Sequence, residues 1–197
     1  MVQITVPQII AENLTNVDMR LGRPQQSVLR SPWTGAAQVL NRGYDRWSGV
    51  ASVRRFARPD TADWQIIEAF FAQLGGAANT FDLPHFRTPA PIAANTIFQN
   101  SKTDDTGALA GILQHRFNSG QRGIAVGQMI QAGDRTFRIT QLLPQRWVVL
   151  YPQRPIPNTD ALTGSTTVRA RARGSDGVTS PMVGSWVGPW TIEWEQA

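Results

Sequence analysis

The chain has 197 residues, 41% of them hydrophobic, and a formal charge of +5, which is enough apolar material for a real core and excludes a disordered tail. Cysteine is absent, so disulfide stapling, a thiol nucleophile and a thiolate-held metal are excluded. No run approaches the roughly 20 apolar residues that cross a bilayer, and Met1 to Ile10 lack the basic start and apolar stretch of a secretory signal, so a soluble protein is expected.

The 13 Pro and 17 Gly interrupt short apolar runs along the whole length. That texture predicts a mainly β fold with one amphipathic helix. Val2, Ile4 and Val6 alternate with Gln3 and Thr5, which reads as a strand with one buried face ending at Pro7. Residues 37–41 and 46–56 flank the turn-like Arg42-Gly43-Tyr44-Asp45, so they are predicted to form a hairpin, with Trp47, Ala51 and Val53 on one face. A helix is predicted over 60–75. Pro59 lies just outside it, Asp60 caps it with Asp63 three residues on, and Gly75-Gly76 ends it. Trp64, Ile67, Phe70 or Phe71, and Leu74 recur at three- and four-residue intervals, a stripe that should bury against a sheet. Asn79-Thr80-Phe81-Asp82-Leu83-Pro84 then reads as a short strand.

After the rigid connector Thr88-Pro89-Ala90-Pro91 the texture changes. Six short strands are predicted, at 96–99, 109–114, 123–130, 136–142, 146–151 and 166–173, with a hairpin turn at Gly133-Asp134. Residues 100–107 and 174–177 are polar and read as surface loops. Six strands over this span suit a small barrel or compact sandwich. Trp190, Ile192 and Trp194 alternate with Thr191, Glu193 and Glu195 in a closing strand. Both termini read as strands of one domain. The predicted organisation is therefore 1–87 plus 181–197 as one β domain with the helix, and 88–180 as a small β domain inserted into it. No period of 20 to 50 residues recurs, which disfavours a solenoid or propeller.

Motifs for chemistry are sparse. The two histidines, His85 at a strand end and His115 in a polar turn, lie beside no Gly-x-Ser-x-Gly elbow and read as structural. The zincin and EF-hand patterns are missing, and the Asp104-Asp105 pair reads as solvated rather than as a cation site. Walker and Gly-x-Gly-x-x-Gly loops are missing too, so neither a nucleotide nor any other cofactor is expected. Glu193 and Glu195 share a strand face at about 7 Å, near the separation of an inverting glycosidase pair, but a solvated or interface face is the stronger reading.

The basic residues are 18 Arg and one Lys, Lys102. Arginine forks suit carboxylates across interfaces and phosphates alike, and a GC-rich coding sequence gives the same skew. Arg169, Arg171 and Arg173 project from one strand face about 6 to 7 Å apart. Three explanations compete: a solvated face, salt bridges to acidic strands of a neighbouring subunit, for which Glu193 and Glu195 are natural counterparts, and contact with nucleic acid. The seven Trp residues read as core or interface rather than as a sugar-stacking platform.

The order of features resembles a group of small tail proteins of tailed bacteriophages. The likeness rests on Ser31-Pro32-Trp33-Thr34-Gly35 with Gln38-Val39, on Trp47, on the 64–74 helix closing at Gly75-Gly76, and on Thr80-Phe81-Asp82-Leu83-Pro84. It continues through Gly127 to Asp134, Phe137-Arg138-Ile139, Val148 to Pro152 and the Trp190–Trp194 strand. The resemblance covers most of the chain and is a pattern of structural positions, not a catalytic signature. It implies a non-enzymatic virion component of the tail tip, similar to distal tail proteins: a sandwich- or barrel-like ring-forming domain carrying a second, barrel-like β domain. The implied partners are further copies of the chain, in a hexameric ring or a trimer, and the tube, hub, fibre or receptor-binding proteins. Assembly in the bacterial cytoplasm is implied, with no membrane span and no specific nucleic-acid binding. A head-to-tail connector, a podophage tail component, a host-surface carbohydrate- or receptor-binding module and a cell-wall hydrolase are the alternatives.

Overall fold

The computed structural model describes residues 2–21, 25–30, 37–42, 46–54, 61–74, 78–104, 106–119, 122–173, 178–179, 182–183, 186–187 and 190–197, with backbone alone at 21, 25–30, 37–42, 178–179, 182–183 and 186–187. The chain is mainly β, with curled sheets of the sandwich or barrel kind. It opens with β1 (Gln3–Ile4), α1 (Gln8–Glu12), β2 (Leu14–Val17), β3 (Arg20–Leu21), β4 (Gln25–Arg30), β5 (Ala37–Arg42) and β6 (Trp47–Val53). Helix α2 (Ala62–Leu74) and β7 (Thr80–Pro84) follow. The middle holds β8 (Phe98–Thr103), β9 (Leu113–Phe117), β10 (Met129–Ala132), β11 (Arg135–Leu143), β12 (Trp147–Tyr151) and β13 (Leu162–Gly164). The chain closes with β14 (Thr167–Ala172), β15 (Val178–Thr179), β16 (Met182–Val183), β17 (Trp186–Val187) and β18 (Trp190–Gln196).

Two large sheets hold most of these strands, and β4–β5 and β16–β17 form separate two-stranded sheets. The terminal sheet runs β1-β7-β14-β18-β6-β2, with β3 on β6 and β15 on β18. It therefore draws on both ends of the chain, as the two termini predict, but β1 is confined to Gln3–Ile4 and Val2, expected on the buried face with Ile4 and Val6, is 65% exposed while those two are half-buried. Trp190, Ile192 and Trp194 point inward from β18 with Gln196, while Glu193 and Glu195 point out. Stripe residues Ile67, Phe70 and Leu74 of α2 are fully buried against this sheet, and Trp64 is partly buried on the same cluster. Trp64 meets Trp190 at a tilt with 5.8 Å between ring centroids, and Phe71 meets Trp190 and Phe70 meets Phe81 edge-on at 5.2 and 5.9 Å.

The inserted sheet runs β13-β10-β11-β12-β9-β8 and has its own core around Phe98, Phe117, Ile130, Phe137, Ile139 and Leu150. Its entry and exit strands meet at a neck, where the His85 amide donates to the Thr166 carbonyl at 3.0 Å and Met129 N–H to the Thr88 carbonyl at 2.9 Å. The two sheets are bonded at a seam. The Trp47 indole donates to the Thr136 carbonyl at 2.9 Å, joining β6 to β11.

Several expectations are corrected. Strand 37–42 does not pair with 47–53: both edges of β6 are occupied, by β18 on one side and by β2 and β3 on the other, so β5 pairs with β4 in a separate two-stranded sheet. Turn residues 43–45 lie outside the described residues, as do Pro59, Asp60, Gly75, Gly76, residues 31–36 and 174–177. Thr61 supplies the helix cap, its hydroxyl accepting from the Trp64 amide at 3.3 Å. The 166–173 strand, expected in the insert, lies in the terminal sheet between β7 and β18, so the chain returns at Thr166 rather than after residue 180. Residues 98–103 form an edge strand where a polar loop is predicted, because β9 supplies backbone partners to side chains that are exposed on both faces beyond Phe98. The short α1, which buries Ile10, has no side-chain cap and no signal in the sequence.

Candidate functional site

The expected charge row forms on the outer face of β14. Val168, Ala170 and Ala172 are buried while Arg169 and Arg171 face outward and Arg173 is exposed. Arg171 lies opposite Glu195 in the β14–β18 register, its Nη2 2.5 Å and its Nε 2.7 Å from Glu195 Oε1. Arg169 lies opposite Asp82 on β7, with Nε 3.4 Å from Asp82 Oδ1, and its Nη1 pairs with Asp134. The counterpart expected on a neighbouring subunit is thus met within the chain for Arg171 and Arg169. Antiparallel pairing of β14 with β18 and β7 places each cation directly across from an anion, which is the cross-strand arrangement that stabilises a sheet. Arg173 and Glu193 differ. They lie side by side through the Arg173 amide donating to the Glu193 carbonyl at 2.8 Å, yet neither side chain forms an ion pair among the described residues.

Asp82 and Asp134 are missing from the sequence-based set. Asp82 had a signal, since it alternates with buried Phe81 and Leu83, but its partner depends on placing 166–173 beside β7. Glu193 and Glu195, the acids weighed as a glycosidase pair, sit in different surroundings. Glu195 is held by Arg171, with Arg46 Nη1 also 4.0 Å from its Oε1, and Glu193 projects into solvent.

Both histidines are buried and hydrogen-bonded. His85 sits at the neck, where its Nδ1 accepts from the Arg87 amide at 3.2 Å and its Nε2 lies 3.4 Å from Ser165 Oγ, which donates to the Thr167 carbonyl at 2.6 Å. That pattern makes Nε2–H the donor to serine, the reverse of a general base taking a hydroxyl proton. Burial, and secondarily the Arg87 charge, holds its pKa below the ordinary value. His115, expected in a polar turn, lies within β9. The Ser101 hydroxyl donates to its Nδ1 at 2.8 Å and its Nε2–H donates to the Arg154 carbonyl at 3.2 Å. Burial lowers its pKa to about 4, so it is neutral at pH 7 and a weak base.

Asp104 is engaged by Lys102 Nζ at 2.9 Å and Gln114 Nε2 at 2.7 Å, and the Lys102 bond first, then the Gln114 bond, keep its carboxyl below the usual range. Asp105 lies outside the described residues. No cluster of three metal-ligating side chains occurs among the described residues, and no helix among them is long and apolar enough to cross a membrane.

Cavities of similar size lie on the insert and its seam among the described residues. One of about 250 Å³ is apolar, lined by Phe117, Ile124, Leu142, Leu143, Trp147 and Val148 with Arg146 at its side. One of about 220 Å³ is lined by Asp134, Arg135 and Asp160 with Phe137 and Ile156. Another, of about 260 Å³, is lined by Arg46, Arg135, Arg154 and Pro155. No protein-family model matches the chain, and no curated protein matches it at a significant level.

Proposed function

We propose that the chain is a structural protein of a bacteriophage tail tip, a ring component of the distal-tail or baseplate kind that joins tail tube, hub and receptor-binding parts. The observation that carries this reading is the order and packing of its elements: an amphipathic helix laid on a sheet built from both chain ends, the Thr80–Pro84 strand in that sheet, a second β sheet inserted beyond it, and closure by the Trp190–Gln196 strand. That order is the basis of the resemblance to small phage tail proteins. The work asked of such a protein is to hold shape and to repeat a surface around an axis, which rewards a rigid β scaffold and heterologous contacts that close by rotation.

Arg173 and Glu193 are the members of the charge row that fit a subunit contact, because among the described residues neither side chain has an ion-pair partner and the two residues meet through backbone atoms. Arg169 and Arg171, already matched by Asp82, Asp134 and Glu195, serve the fold. Mass measurement in solution with negative-stain imaging tests the proposal. Closed rings, hexameric by preference, support it, and their loss on exchanging Arg173 or Glu193 assigns the contact. A monomer at all concentrations that binds glycan or a host-surface receptor replaces it with the binding-module reading.

A further inference from the structure

We infer that the cavity between the Gly133-Asp134 turn and the 155–160 segment is a binding site for a small zwitterion of amino-acid size, with its ammonium on Asp160 and its carboxylate on Arg135. The cavity of about 220 Å³ is lined by buried Phe137 and Ile156, by Pro157, and by Asp134, Arg135 and Asp160. Asp160 and Arg135 are uncommitted. Neither side chain forms an ion pair or a hydrogen bond with the other or with any further described residue. Two opposite charges that line one cavity without pairing are satisfied together by water or by a ligand that carries both counter-charges.

The walls are fixed before any ligand arrives. The Asp160 amide donates to the Pro157 carbonyl at 3.1 Å, Asn158 Nδ2 donates to the Gln99 carbonyl at 3.0 Å, and Ile156 is buried in the core of the insert. The segment is thus tied to its own turn, to β8 and to that core. Across from it, Asp160 Oδ2 lies so near the hairpin turn that a Cβ on Gly133 would stand 3.3 Å away, and Gly133 takes φ 56°, a conformation that suits glycine. Arg135 opens β11 directly after that turn, opposite Ala132 in register. Asp134 is committed to Arg169, which leaves one free anion and one free cation facing the same space. A purely cationic or purely anionic ligand would meet one of them as an unpaired like charge. A zwitterion satisfies both, and an apolar side chain on it can lie against Ile156 and Pro157. The volume admits one molecule of amino-acid size.

The test uses the full chain, isotopically labelled, titrated with L-leucine and followed by amide and methyl chemical shifts. Saturable shifts at Arg135, Ile156 and Asp160 are expected. L-leucinamide, which lacks the carboxylate, and N-acetyl-L-leucine, which lacks the ammonium, should each bind about ten-fold more weakly or worse. Asp160→Asn and Arg135→Gln should each weaken leucine by a similar factor. Asp160→Asn alone should weaken leucinamide further, and Arg135→Gln alone should weaken N-acetyl-leucine further. Arg135 is solvent-exposed, so its variant should keep the far-ultraviolet circular dichroism of the parent and decides the matter even if Asp160→Asn disturbs the segment. The absence of saturable shifts with leucine overturns the proposal, as does unchanged leucine affinity in Arg135→Gln. Leucinamide that binds as tightly as leucine overturns the zwitterion in favour of a lone ammonium, as on a peptide N-terminus.

Discussion

The two large sheets of this protein are closed by different means. The terminal sheet joins distant segments: β1 lies parallel to β7, with Gln3 beside Thr80, and β18 lies against β6, with Trp194 beside Gly49. The inserted sheet is built largely from neighbours in sequence, β8 with β9, β10 with β11 and β11 with β12. Local pairs can take their register from a turn, as the two-residue Gly133-Asp134 connection does with Gly133 at φ 56°. Distant pairs have no such guide and must be selected by burial, which is the task of the Trp190, Ile192 and Trp194 face under helix α2. The difference teaches that the terminal sheet depends on a few close fits between remote segments, while the insert depends on its hairpins.

The strongest way to break the comparison is at Gly49. A Cβ there would stand 1.7 Å from the Asp18 carbonyl oxygen, a backbone atom that cannot swing aside. Gly49→Ala should cost about 4 kcal/mol or more, at the upper end of single substitutions. Urea unfolding gives the total, and amide exchange gives its location. Amides of β6 and β18 should lose protection while those of β11 and β12 keep theirs. Equal loss in both sheets would mean that the seam makes them one cooperative unit.

The insert has its own vulnerable point in His115. Its pKa falls from 6.5 unfolded to about 4 folded, so between these values the unfolded chain binds a proton that the folded chain refuses. Stability should therefore be full above pH 6.5 and decline as pH falls toward 4. At roughly 1.4 kcal/mol per unit the loss approaches about 3 kcal/mol. His85, lowered in the same direction at the neck, adds a component of the same sign. Replacing His115 with Gln should flatten the pH dependence of unfolding between 6.5 and 4 without abolishing it. An unchanged slope would show that His115 is not the group responsible.

A smaller effect probes the seam itself. Trp47→Phe keeps the ring in the terminal core but removes its hydrogen bond to the Thr136 carbonyl, to which Gln196 Nε2 also approaches at 3.5 Å. The expected cost is about 1 to 2 kcal/mol. If the seam couples the sheets, the variant should separate their unfolding transitions, followed by fluorescence and by circular dichroism. Transitions that stay coincident would locate the coupling elsewhere, at the Thr88–Met129 and His85–Thr166 bonds of the neck.

What the sequence reveals follows the same division. The helix stripe and the Trp190–Trp194 alternation are legible because periodicity reports burial directly: the alternation is found as read, and of the stripe Ile67, Phe70 and Leu74 are buried while Trp64 is partly so. Pairing is not legible in the same way. The segment 166–173 carries an alternating pattern suited to either sheet, and only the competition for the space beside β7 and β18 assigns it. The supposed 37–56 hairpin fails for the same reason, since turn-like residues between two strands say nothing about whether a strand edge is free. Of the candidate site, the arginine row and its acidic counterpart were visible as faces. The Arg135 and Asp160 cavity was not, because its two free charges lie 25 residues apart in the chain and no spacing rule links them.

The smallest effect bears on how the charge ladder serves the terminal sheet. Arg171 and Glu195 are each roughly one-quarter exposed, directly opposed in register and supported by two short contacts. Even so, solvent screening limits such a pair to about 0.5 to 1 kcal/mol. Arg171→Met should lower stability by that amount at low salt and by less at high salt, with the difference read from urea unfolding at two ionic strengths. A change in oligomer size should not accompany it, because Glu195 is met within the chain. Arg173→Met should do the opposite, leaving the stability of the single chain nearly unchanged while weakening any ring. If Arg171→Met dissolves rings and Arg173→Met does not, the division of the row into folding charges and assembly charges is reversed, and the contact between subunits runs over β14 and β18 rather than past their ends.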